Sequence, residues 1–178
     1  MRKVKIFRTI MVFWTLFIGI GAVAGATGML VAPDGSAMGM QSMLPYFQVL
    51  PFAGVLFQDF IVPGIALLLI NGIPNLIAAY FLLRNKKIGG YLGCSLGVIL
   101  MLWITIQFVI FPLNFLSAIY FFFGLLQFLC GVAYIIFEKQ SKFHFDASLY
   151  HSIGTDSSIL VVYFSRKGYT KKIAYEKA

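Results

Sequence analysis

Arg84-Asn85-Lys86-Lys87 is a short, strongly basic stretch set between two long apolar runs. A bilayer retains Lys and Arg near span ends on its cytoplasmic side. Placing this one turn inside therefore fixes the sidedness of every apolar run before and after it. Outward from the cluster, one run extends back to about Phe60 and the other forward to about Phe111. Each exceeds the roughly 20 residues that a helix needs to cross the hydrocarbon core.

The 178-residue chain is 60% hydrophobic and 11% charged, where soluble domains carry about 25% charged residues. A water-soluble fold cannot hide that much apolar surface, so the class is integral membrane protein. The net charge of +8 does not point to nucleic acid, because the basic residues flank apolar spans. Their natural partners are the lipid bilayer and the anionic lipids of its inner leaflet. Cys94 and Cys130 both lie in apolar runs and make no disulfide framework.

Toward the N-terminus, Arg2, Lys3, Lys5 and Arg8 precede an apolar run over about 10–31. A basic start, an apolar middle and the small residues Ala22-Val23-Ala24 also fit a secretory signal peptide, but the run has span length, which favours an uncleaved helix. The loop from Pro33-Asp34-Gly35-Ser36 to Asp59 holds no Lys or Arg, as an outer loop should. Its second half, from Met43 to Phe60, is aromatic but broken by Pro45 and Pro51. It is expected to lie in the outer interface or fold back into the bundle. Met38, Met40 and Met43 are soft thioethers of the kind that bind Cu(I). No Cys or His lies nearby to complete a site, so no metal is assigned.

The remaining spans are placed at about 60–83, 88–111 and 115–137, giving an all-α, four-helix transmembrane domain over 1–139. The expected location is the cell membrane, with both termini cytoplasmic. In the second span Asn71 and Asn75 share a helix face, and Pro74 frees the carbonyl of Ile70 and should kink the helix. That face suits either hydrogen bonding between helices or a polar lining for a small ligand. Gly89, Gly93 and Gly97 form a stripe of small residues suited to close packing. Gln107 and Gln127 are the strongly polar residues of the last two spans and are expected to meet in the bundle. Homo-oligomers and a redox partner are both compatible with these features.

Residues 140–157 read as a cytoplasmic linker. His144, Asp146, His151 and Asp156 within it match no metal-ligand spacing. Residues 158–178 have a different character. Ser158 to Phe164 is a short apolar run rich in β-branched and aromatic residues, fitting a strand buried on both faces. Ser165-Arg166-Lys167-Gly168-Tyr169-Thr170 follows, and then good helix formers from Lys171. Strand, hydroxyl- and Gly-containing turn, then helix is an arrangement that cradles phosphate on backbone N–H groups.

The stretch from Ile159 to Ala174 resembles the opening of a flavodoxin. In that family the first strand feeds a loop of pattern Ser/Thr-x-Thr-Gly-x-Thr that holds the FMN phosphate. Ser165, Gly168 and Thr170 match it. Lys167 departs, standing where the family usually has Thr, and Tyr169 replaces a frequent Asn. The resemblance implies an α/β fragment following the helical domain, FMN as cofactor, and Ser165, Arg166, Lys167, Gly168, Tyr169 and Thr170 as its contacts. It implies electron transfer carried by the flavin, with no catalytic side chain. It covers about twenty residues, and a flavodoxin-like fold needs a five-stranded sheet. The expectation is thus the truncated front of a membrane-anchored flavodoxin-like protein, not competent to hold FMN by itself. The alternative is a small four-helix membrane protein that acts as an interaction or ligand-binding module, with a vestigial tail. The helical part also resembles uncharacterised small bacterial membrane proteins with a Pro-Asp-Gly outer loop, a likeness that brings no function.

Overall fold

A computed structural model describes residues 2–141. The linker beyond Ser141 and the flavodoxin-like stretch 158–178 lie outside the described residues. Four helices are long and apolar enough to cross a membrane: α1 (Arg2–Val31), α2 (Ile61–Leu83), α3 (Lys87–Ile110) and α4 (Phe115–Ser141). This is the architecture of a multi-pass membrane protein. The helix bounds follow the apolar runs except at the basic ends, where α1 starts at Arg2 and α4 continues to Ser141. Charged side chains on those extra turns are long enough to reach headgroups from a helix that has not yet ended.

The helices run up and down in chain order. α1 packs on α2 and α4, and α3 packs on the same two. Contacts at one end confirm the antiparallel arrangement. Lys87 at the start of α3 pairs with Glu138 near the end of α4 at 3.6 Å, and Phe7 of α1 stacks on Phe137. Arg2, Lys3, Lys5, Arg8, Arg84, Lys86, Lys87 and Lys139 therefore gather at a single end of the bundle.

The basic turn between α2 and α3 has a local cause. Asn85 adopts a left-handed φ of 56°, which Asn tolerates better than most residues. The Lys86 N–H then reaches back to the Phe81 carbonyl at 2.8 Å, closing α2 with a Schellman-type bond. The opposite turn is capped by Asn114, whose Oδ1 accepts from the Ser117 N–H at 2.8 Å, satisfying a donor that the first turn of α4 leaves free.

Between α1 and α2 the chain forms 3-10 turns at Ser36–Met38 and Gln41–Val49 and one helical turn at Ala53–Leu56. The segment folds back against the bundle, burying Phe47 and Phe60. Its ends are tied by the Phe60 N–H donating to the Pro33 carbonyl at 2.8 Å. Asp34 accepts from both the backbone N–H and the hydroxyl of Ser36, and these two donors hold its carboxyl below the usual range.

Two packing expectations gain detail. The helix continues through Pro74. The constraint is taken up one turn earlier by a π turn at Leu68–Gly72, where the Ile73 N–H bonds to the Leu68 carbonyl, a widening that lets the helix run past a residue with no N–H. The glycine stripe of α3 serves three neighbours instead of one. A Cβ at Gly89 would meet the backbone of Leu82 in α2, one at Gly93 would meet the Met11 side chain in α1, and one at Gly97 would meet the backbone of Phe128 in α4. With no hydrophobic drive between helices in lipid, such close approach supplies the packing energy.

The obstacles differ in stiffness. A methyl at Gly97 would sit 2.6 Å from the Phe128 nitrogen, while one at Gly93 meets the mobile end of Met11 at 2.5 Å. Gly97→Ala should therefore cost about 1–3 kcal/mol through overpacking, and Gly93→Ala much less. Thermal unfolding in detergent checks the order; equal losses would mean that the backbones of α3 and α4 are not in close contact at Gly97.

Candidate functional site

The polar atoms of the bundle interior converge near its middle. Asn71, Asn75, Gln127 and Thr15 are each fully buried. Thr15 turns its hydroxyl onto its own helix, donating to the Met11 carbonyl at 2.8 Å. The other three belong to different turns and helices. Asn71 sits inside the π turn of α2. Asn75 lies one turn on, and its Nδ2 donates to the Asn71 backbone carbonyl at 2.8 Å. This bond helps to hold the widened turn in place.

Gln127 comes from α4, diagonally across the bundle. Its Nε2 donates to Asn75 Oδ1 at 2.9 Å and to the Gly93 carbonyl of α3 at 3.0 Å. One amide nitrogen thus links three helices. Gly93 makes the second bond possible, because no side chain stands over its carbonyl.

Three side-chain atoms in this cluster remain open. Gln127 Oε1 and both polar atoms of the Asn71 amide are buried without a hydrogen-bond partner among the described residues. An unmet buried polar group costs about 1–3 kcal/mol, and in membrane interiors such residues tend to serve a function. The cluster holds no ionisable group. It offers one free donor nitrogen and two free acceptor oxygens, chemistry suited to holding a small uncharged hydrogen-bonding guest and unsuited to proton transfer.

Asn71 and Asn75, singled out from the sequence, are thus brought together as expected. Gln107 and Gln127 are not. Gln107 Oε1 accepts from the Ser117 hydroxyl at 3.3 Å, joining α3 to α4 near the end opposite the basic residues. What sequence reasoning missed is the partner of Gln127. The phosphate-loop candidates Ser165 to Thr170 lie outside the described residues, as do His144, Asp146, His151 and Asp156. Among the described residues no group of His, Cys, Asp or Glu is placed to hold a metal.

No family model, curated protein or solved structure matches the chain. The flavodoxin resemblance of residues 159–174 therefore stands on those residues alone.

Asn71 gives a direct check of the open amide. Its backbone carbonyl carries the bond from Asn75, so Asn71→Leu removes only the unpartnered side-chain atoms. Replacing an unsatisfied polar group by an apolar one of similar shape should leave the melting temperature unchanged or raise it. A clear fall would show that the Asn71 amide already has a partner in the folded protein.

Proposed function

We propose that the chain is a membrane-anchored flavodoxin-like protein: the four-helix bundle fixes a cytoplasmic FMN-binding segment to the inner face of the cell membrane, for flavin-dependent electron transfer. The supporting observation is the single basic end of the bundle. Lys and Arg at span ends stay on the cytoplasmic side, and α4 carries Lys139 in its last turn at that same end. The chain therefore leaves the membrane where a flavin carrier would meet cytoplasmic reductants and anionic lipid.

In this reading, backbone N–H groups around Gly168 hold the FMN phosphate, and Ser165 and Thr170 add hydroxyl donors. Lys167 and Arg166 contribute charge. The flavin supplies the electron chemistry. Residues 158–178 offer no wall for the flavin ring, so by themselves they are not expected to hold FMN; a phosphate cradle alone reaches millimolar affinity at best.

A second reading, in which the bundle itself is a ligand-binding or interaction module, is favoured by the open amides of Asn71 and Gln127. The two readings occupy different parts of the chain and are compatible.

The phosphate loop is tested by comparing FMN with riboflavin, which lacks the phosphate. Titrated into the detergent-purified chain, FMN should keep its free fluorescence, with any residual binding no tighter than millimolar, about −4 kcal/mol, and weaker still for riboflavin. The double substitution Ser165→Ala with Thr170→Ala keeps the charge and should abolish the difference. A yellow preparation carrying stoichiometric FMN would overturn the expectation that this stretch alone does not hold it; residual FMN binding that riboflavin matches, or that the double substitution leaves unchanged, would remove the FMN reading.

A further inference from the structure

A cavity of about 240 Å³ lies toward the end of the bundle away from the basic residues. Its long wall runs from Trp103 of α3 to Phe111 just past the helix end, about 12 Å at the helical rise. Val62, Ala66 and Leu67 of α2 face it, and the segment between α1 and α2 adds Phe47, Leu50 and Phe57. The wall surface is wholly apolar and no lining residue is ionisable. The polar atoms of its lining residues are turned away. Gln107 Oε1 is engaged by Ser117, and the Trp103 indole nitrogen is buried.

Three features narrow the occupant. An apolar cavity does not hold water, since water needs two to four polar partners. The volume lies below the roughly 300–1,000 Å³ of sites that enclose drug-sized ligands or cofactors. The most exposed lining residues are Val62 and Ile106, at 36% and 56%, and both sit on helices that cross the membrane. The cavity thus opens sideways, on a flank where the surrounding solvent is hydrocarbon.

We propose that this cavity is a lipid site, filled by the inserted end of one acyl chain of a bilayer phospholipid from the leaflet opposite the basic end. Dispersion contacts with an otherwise unfilled wall drive its entry. Met29 and Met40 in the lining adjust to a mobile chain as rigid side chains do not. The proposal is independent of the FMN reading, because it uses no residue beyond Phe111 and no charge.

The protein carries its own reporter. Trp14 and Trp103 are its two tryptophans, so Trp14→Phe leaves the cavity residue as the sole emitter. This variant is placed in nanodiscs of phosphatidylcholine, either plain or brominated midway along one acyl chain. Bromine quenches indole fluorescence on contact. The proposal predicts loss of most Trp103 emission in the brominated discs. It also predicts that filling the cavity with Ala66→Phe, in the same background, restores most of it. Circular dichroism establishes that the filled variant is helical, and Ala66→Met is the milder filler if Phe prevents folding. Emission undiminished by bromine would overturn the proposal. So would equal quenching in open and filled variants, which would mean that the ring merely senses lipid around the bundle.

Discussion

The Nε2 group of Gln127 is the point on which the bundle's arrangement turns. It bonds across the diagonal to Asn75 and sideways to the Gly93 carbonyl, so it fixes α4 against α2 and α3 together. Apolar helix faces in lipid are nearly interchangeable, and packing alone leaves rotation about each axis weakly specified. A buried carboxamide with two defined partners removes that freedom. If α4 turns or slides by one residue, two N–H bonds are lost where no water replaces them.

Other features can be traced from this link. Asn75 is held ready by its own bond to the Asn71 carbonyl, and that bond reinforces the π turn that Pro74 imposes. Gly93 leaves its carbonyl open to Gln127 and its Cα open to Met11, so both diagonals of the bundle close at one level. Above that level Gly97 lets α3 and α4 touch backbone to backbone. Below it Gly89 does the same between α3 and α2. The outer faces stay apolar and exposed, as at Leu102 and Val109, which suits helices surrounded by hydrocarbon.

The four spans were legible in the sequence because length, hydropathy and the one-sided placement of Lys and Arg all act along a single dimension. The Asn71 and Asn75 face was legible for a similar reason, since both lie on one helix four residues apart. The partner of Gln127 was not, because pairing between helices depends on depth and rotation together. Depth alone argues against the expected Gln107 pair. At 1.5 Å per residue Gln107 lies about 30 Å from Lys87, while Gln127 lies roughly 16 Å from Glu138 at the same end. Gly93, some 9 Å from Lys87, and Asn75, some 13 Å from Arg84, are far closer in level. The π turn was hidden because proline announces a missing donor without saying how the helix will absorb it. The fold of the segment from Met43 to Phe60 was half legible: its prolines ruled out a span, but not which aromatic rings it would bury.

On this arrangement the Asn75–Gln127 contact couples α2 to α4 across the bundle. A double-mutant cycle with Asn75→Leu, Gln127→Leu and both together, read by reversible unfolding in bicelles, measures that coupling. Hydrogen bonds between membrane helices average about 0.6 kcal/mol of coupling and reach about 1.7. A diagonal bond buried on all sides should fall in the upper part of that range. Additive losses, within about 0.3–0.5 kcal/mol, would contradict the account and leave the glycine contacts to order the bundle alone.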